Sequence, residues 1–371
     1  MINRRICLAL ALLAGCAGSP PSSGEQPAAA SPRASSAPPF VPLKARANAP
    51  FHVGFERLEL ERNGDNRPLL ADLWYPVDPS IPEAQKAYLL AKGRVAEHAQ
   101  LATGLPKKLP LVILSHGSGG TADDYPWLTE TLAAHGYLVL GVHHFGESRA
   151  YGFATVDPKA ILRFWLRPRD VERAYARFLE LPKFGALVDL HRVYGVGHSA
   201  GGHTILAAAG VAYDPKRLGA YCTKAPPASD RGCMYATTYG HEEPKPGELT
   251  DPNAHVPFSG LVLFDPALGP SFATADLSAF RTPVRLFATD PGDFLPFGPH
   301  AGHLAEALPN VELTRLIGAA GHFVFLGECS LTIEVMGLPL CKDAPGVDRH
   351  AVHQDLAQAT LTFLAGLSHD E

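Results

Sequence analysis

Gly197-His198-Ser199-Ala200-Gly201 is a G-x-S-x-G pentapeptide. Small residues around the serine permit a sharp turn that exposes its Oγ at a helix N-terminus, where the dipole favours developing negative charge. A serine hydroxyl is a poor nucleophile until a base takes its proton. The motif therefore asks for an acid and then a histidine further along the chain. His322, in Gly318-Ala319-Ala320-Gly321-His322-Phe323, sits on a small, Gly-rich loop from which its ring could reach the serine; His300, His303, His350 and His353 compete with it. Three aspartates follow apolar runs at the right place: Asp265 after Gly260–Phe264, and Asp290 and Asp293 after Val284–Ala288. Any of them could instead cap a helix or form a turn. Asp265 is the choice, with Asp293 next. A tetrahedral intermediate also needs donors where its oxyanion forms. His116-Gly117-Ser118-Gly119-Gly120 offers them, and the backbone N–H groups of Ser118 and Ala200 are the expected pair. His116, His143 and His144 lack a helical i, i+4 partner that would complete a metal site, so they read as packing or pocket residues. No metal or organic cofactor is expected.

These residues need elements that hold them. Arg192–Val196 reads as a buried strand before the serine and Thr204–Ala209 as a helix after it, the strand–turn–helix context the motif requires. Leu109–Leu114 is a continuous apolar run, typical of a strand covered on both faces, and leads into the Gly-rich loop. Phe51–Leu60 and Leu69–Tyr75 open the domain as a strand pair around the turn Asn63-Gly64-Asp65-Asn66. Tyr137–Val142, Gly260–Phe264, Val284–Ala288 and Val311–Ile317 complete eight strands. Helices are expected over Trp127–His135, over Val171–Leu181 with Asp170 as N-cap, and over Ala351–Leu367. Alternating strands and helices predict an α/β domain: a mostly parallel, eight-stranded sheet with helices on both faces. Residues 213–258, rich in Pro and Gly, form a long insertion after the nucleophile's helix, either a lid or pocket wall or a surface decoration.

The chain has 371 residues and a formal net charge of -5, with no basic run, which gives no support to nucleic-acid binding. Residues 1–16 look like an export signal: Arg4 and Arg5, then the apolar Ile6–Leu13, too short to span a bilayer. Leu13-Ala14-Gly15-Cys16 resembles a bacterial lipobox, which would make Cys16 a lipid-bearing membrane anchor, with a position at the cell envelope and most simply the outer membrane. Residues 17–50, rich in Pro, Ser and Ala, read as a disordered tether, and residues 51–371 as one domain. Of six cysteines, Cys7 leaves with the signal and Cys16 carries lipid. The remaining four form two local pairs, Cys222–Cys233 and Cys329–Cys341, expected as disulfides in an oxidising compartment.

With these motifs in place, the chain resembles the bacterial α/β-hydrolases called predicted dienelactone hydrolases, which are similar to the platelet-activating-factor acetylhydrolase family. The resemblance is carried by Leu73–Pro76, Leu114–Gly120, Arg167–Val171, Val196–Gly202, Gly321–Phe323 and Asp348–His350. It implies the α/β-hydrolase fold and a Ser199–His322–Asp265 triad, since the acetylhydrolase family carries its acid at the end of the strand after the nucleophile's helix. In dienelactone hydrolases the acid lies one strand later, nearer Asp293, and the nucleophile is a cysteine, from which Ser199 departs. The expected activity is hydrolysis of short-chain, phospholipid or aromatic esters through an acyl-enzyme. An acyltransferase with the same triad and a surface lipoprotein that only binds apolar ligands are the alternatives.

Overall fold

The computed structural model describes residues 41–367 except 62–66, 89, 226–228, 241, 250–254, 319, 330 and 336. The export signal, Cys16, most of the tether and the turn at Asn63–Asn66 lie outside the described residues. From Pro39 onward the chain is one compact unit.

The strands, in chain order, are β1 (His52–Glu61), β2 (Leu69–Val77), β3 (Ala84–Ala87), β4 (Lys92–Glu97), β5 (Leu109–Ser115), β6 (Leu138–His143), β7 (Val188–His198), β8 (Gly260–Phe264), β9 (Val284–Asp290) and β10 (Val311–Ile317). These ten form one sheet in the order β10-β9-β8-β7-β5-β6-β2-β1-β4-β3, and Glu334–Val335 and Leu338–Pro339 pair as a separate two-stranded ribbon. From β10 to β6 every pairing is parallel, while β2 runs antiparallel to both β6 and β1. The eight anticipated strands are all there. The sheet continues past β1 by the hairpin β3–β4, whose outer strand is mostly exposed and carries no apolar alternation to announce it.

The continuous apolar runs reflect burial on both faces. Successive side chains of a strand point to opposite faces. On β5, Leu111 and Ile113 join one core, while Val112 and Leu114 join another. The first core is closed by helices α3 (Arg167–Leu179) and α4 (Ala200–Ala208), through Val171, Phe178, Ile205 and Leu206. The second is closed by α2 (Pro126–Ala134) and the C-terminal α9 (Arg349–Gly366), through Leu128, Leu132, Leu356 and Leu364. Shorter helices are α1 (Lys44–Ala47), α5 (Pro215–Lys224), α6 (Met234–Tyr239), α7 (Thr274–Ala279) and α8 (His303–Ala307).

One boundary differs from expectation for a physical reason. Asp170 does not cap a helix starting at Val171. It lies inside the first turn of α3, and its carboxylate accepts from Arg67 Nε and Nη2 at 2.7 and 2.5 Å and faces His144 Nδ1 at 3.0 Å. Pro168 at the start of the helix fits there because the N–H it lacks would have no helical partner. In the insertion, α5 and α6 are joined by Cys222–Cys233, with Cα atoms 5.3 Å apart; Cys329 and Cys341 are also paired, at 5.1 Å.

Candidate active site

β7 delivers the serine. Its last residue is His198, and Ser199 then adopts φ 55° and ψ −123° before α4 begins at Ala200. A positive φ is costly for a residue with a Cβ, on the order of 1–3 kcal/mol, and persists only where neighbours enforce it. Here Ser199 N–H donates to Phe264 O at 2.9 Å, and Ala267 N–H donates to Ser199 O at 3.0 Å. The flanking glycines are sterically required: a Cβ on Gly197 would strike the backbone of Gly201, and one on Gly201 would strike the carbonyl of Ser115. The spacing of the pentapeptide is thus a statement about backbone contact.

β5 delivers the Gly-rich loop, and nearly every peptide group in it is held. Gly117 N–H donates to Tyr125 Oη at 3.0 Å, and Gly119 N–H to Glu147 Oε2 at 3.2 Å. Arg149 Nη1 donates to Gly119 O at 2.7 Å, and Arg167 Nη2 donates to His116 O. Arg167 and Glu147 are themselves buried and paired at 3.2 Å. The N–H groups of Ser118 and Ala200 are different: neither has an acceptor among the described residues. Ser118 lines the serine's cleft, and Ala200 follows the serine in the chain.

β8 and β9 deliver the acid. Parallel register sets Phe264 beside Phe287, and Asp265, one residue on, donates its N–H to Phe287 O at 2.7 Å and turns its carboxylate to Thr289. Asp265 also has a positive φ, 41°. Its carboxylate accepts from Thr289 N–H at 3.0 Å and Thr289 Oγ1 at 3.1 Å, and from His322 Nδ1 at 2.6 Å. With Nδ1 donating to Asp265, Nε2 is the nitrogen left to accept a proton. Asp293 touches the same histidine differently: its Oδ1 accepts the backbone N–H of His322 at 2.7 Å. Asp290 is engaged by Arg315. Phe294 stacks on the His322 ring, with centroids 4.8 Å apart and planes at 11°.

Ser199 and His322 line one cleft, with a cavity of about 150 Å³. Its walls are largely apolar: Phe164 and Trp165 from the segment before α3, Leu218 and Tyr235 from the insertion, and Phe294 and Phe323 around the histidine. The second disulfide loop adds Val335 and Leu340.

The competing histidines have other partners. His300 Nε2 meets Asp230 at 2.8 Å, and His303 Nε2 meets Phe272 O at 3.1 Å. His350 meets Glu328 at 2.8 Å, and His353 stacks on Trp127 while its Nε2 meets Val324 O at 2.7 Å. His116 and His144 are fully buried. Burial, with the Arg167 cation among their neighbours, pushes His116 well below the ordinary histidine range and His144 down to about 3. His144 Nε2 lies 2.9 Å from Ser115 Oγ, so it packs beneath the loop. Four residues of this assembly carried no role in the sequence reading: Tyr125, Glu147, Arg167 and His198. Arg167 stood in the Arg-Pro-x-Asp segment and His198 inside the pentapeptide, but only their partners give them meaning.

Comparison with known proteins agrees with this architecture. A model of the family "platelet-activating factor acetylhydrolase, isoform II" matches residues 84–179, a stretch that carries the Gly-rich loop and ends before Ser199. No curated protein matches the chain. Among solved structures, a ferulic acid esterase from Streptomyces cinnamoneus is 19% identical, over 84% of this chain and 88% of that one, with a TM-score of 0.49. A puromycin-hydrolyzing peptidase of Mycobacterium tuberculosis is 17% identical, over 85% of this chain and 40% of that one, with a TM-score of 0.51. At such identities the likeness is one of fold, and the chain has the α/β-hydrolase fold.

Proposed function

We propose that this chain is a serine hydrolase of carboxylic esters. The observation that carries the reading is the buried His322–Asp265 pair, 2.6 Å apart, on the same apolar cleft as a serine held at a positive φ. Ser199 Oγ attacks the ester carbonyl and its proton passes to His322 Nε2, while Asp265 keeps the ring in the tautomer that can accept it. The oxyanion forms against the N–H groups of Ser118 and Ala200, whose lack of another acceptor among the described residues suits them to it. His322 returns the proton to the leaving alcohol. Water then hydrolyses the acyl-enzyme by the reverse sequence of proton transfers.

The apolar walls favour an ester with an apolar acyl or alcohol part, within the range of short-chain, phospholipid and aromatic esters. Partial correspondence to the acetylhydrolase family model adds support for ester substrates. Replacing Ser199→Ala is expected to lower kcat on p-nitrophenyl acetate by at least ~10⁴-fold. A fluorophosphonate probe should label the parent at Ser199 and leave the variant unmarked. Equal hydrolysis by parent and variant overturns the assignment. Rates across an acyl-length series then define the acyl class.

Export and lipid anchoring through Cys16 belong to the proposal on the sequence alone. Metabolic labelling with a radioactive fatty acid should mark the parent and not a Cys16→Ser variant.

A further inference from the structure

His198 fills the free position of the pentapeptide, yet it touches all three parts of the candidate site. Gly117 N–H donates to Tyr125 Oη at 3.0 Å, so the single hydroxyl proton of Tyr125 is available to His198 Nδ1, also 3.0 Å away. Nδ1 is then an acceptor. The ring proton must reside on Nε2, and Nε2 faces the carbonyl oxygen of His322 at 3.1 Å. For a neutral ring the carbonyl end sets the directions: Gly117 N–H to Tyr125 Oη, Tyr125 O–H to His198 Nδ1, His198 Nε2–H to His322 O. The other neutral tautomer would set a bare Nε2 against the His322 carbonyl oxygen, two acceptors face to face.

The string is buried and close-packed. Tyr125 and His198 are 2% and 4% exposed. A Cβ on Gly117 would sit 3.3 Å from His198 Nδ1 and 3.4 Å from Ser199 Cβ, so the oxyanion loop rests directly on the ring and the serine. The His198 and His322 rings lie 4.7 Å apart, and Phe325 covers the other side at 5.5 Å.

We propose that His198 is a positioning residue: as the neutral Nε2–H tautomer, together with Tyr125, it locks the oxyanion loop and the His322 loop into one register around Ser199. The role rests on the reading of Ser199 and His322 as the catalytic pair. The titratable and charged groups facing the string are His322 beside His198, and Asp124, Arg167 and Arg149 beside Tyr125. Burial first, and the neighbouring His322 second, hold His198 well below the ordinary histidine range, in keeping with a ring that stays neutral.

Side-chain nitrogen–proton correlation NMR on the folded protein reads the tautomer without any substitution. His198 should show a protonated Nε2 and a bare Nδ1, unchanged between about pH 5 and 9. A protonated Nδ1, or titration within that span, overturns the string. Kinetics test the role. Tyr125→Phe should lower kcat on p-nitrophenyl acetate by ~10- to 100-fold, the scale of a small misplacement of reacting groups, with KM little changed. His198→Asn should do the same, and the double variant should lose no more than the worse single one, because both break one string. His198→Gln, whose amide N–H can reach toward the His322 carbonyl, should retain more kcat than His198→Asn. Losses that multiply in the double variant, or a rise in KM alone, overturn the role. A parent that neither cleaves esters nor labels at Ser199 overturns the proposed function and the role with it. An active parent with a titrating His198 overturns only the string.

Discussion

His322 meets two aspartates with two different atoms, and the difference suits them to different roles. Asp265 receives the ring through Nδ1; Asp293 receives the main chain through the backbone N–H. Changing Asp265→Asn keeps the shape but offers an amide where a carboxylate fixed the tautomer, and kcat should fall by ~10⁴-fold. Changing Asp293→Ala removes an anchor for the loop, so its main effect should be on stability, about 1–3 kcal/mol for the unpaired N–H, with a smaller loss of kcat. Kinetics and thermal melts on the two variants separate them: an Asp293→Ala loss of kcat as large as that of Asp265→Asn would overturn the assignment. The sequence offered three aspartates and favoured Asp265 over Asp293 without a contact to decide between them. All three lie at or just after strand ends, and what separates them is the pairing of β8 with β9, which carries the Asp265 carboxylate to Thr289 and to the His322 ring. Register between parallel strands far apart in sequence leaves no local trace. The serine and the histidine stood out as candidates because backbone sterics write the glycines around one, and a strand end with small residues precedes the other.

At the scale of elements, buried strands were easy to read and marginal ones were not. β5 and β8 announce themselves by unbroken apolar runs. β3, with Ala84-Gln85-Lys86-Ala87, contributes backbone pairing and little burial, so nothing in its pattern requires a strand. The insertion was equally ambiguous as a sequence, yet Leu218, Cys222 and Tyr235 line the cleft. Its disulfide closes a loop with a separation of 11 residues, a constraint on the unfolded chain worth on the order of 3 kcal/mol in the entropic account. The same bridge ties together two segments that line this wall. A protein carrying Cys222→Ser and Cys233→Ser must order the wall on binding, at ~1 kcal/mol per immobilised side chain, which is roughly a fivefold rise in KM for each. Bulky apolar esters, which reach the wall, should show that rise. Acetyl esters should not, and a KM that rises equally for both would show that the wall does not contact substrate.

For the whole molecule, the edge of the sheet is fastened to the helical layer by a buried carboxyl group, and this gives stability a pH dependence. Glu130 of α2 is 2% exposed; it accepts from Tyr88 Oη at 2.9 Å and from Arg94 N–H of β4 at 3.1 Å. Tyr88 in turn accepts from Trp74 Nε1 at 3.0 Å. Burial raises the Glu130 carboxyl from 4.5 to about 7, against the opposing pull of the Arg94 N–H and the Arg46 cation. The folded state therefore binds this proton more tightly than the unfolded chain does. Below pH 4.5 both states are protonated and the group is neutral to stability. Between 4.5 and about 7 the unfolded chain releases the proton first, so stability falls as pH rises, and above about 7 the full cost is present, ~3 kcal/mol by linkage. Glu130→Gln removes the charge while its amide oxygen can still accept from Arg94 N–H. Denaturant melts should find the variant more stable than the parent at pH 8, by up to ~3 kcal/mol, and indistinguishable at pH 4. A variant less stable than the parent at pH 8 would mean that the charged carboxylate, held by Arg94 and Arg46, is what fastens the hairpin.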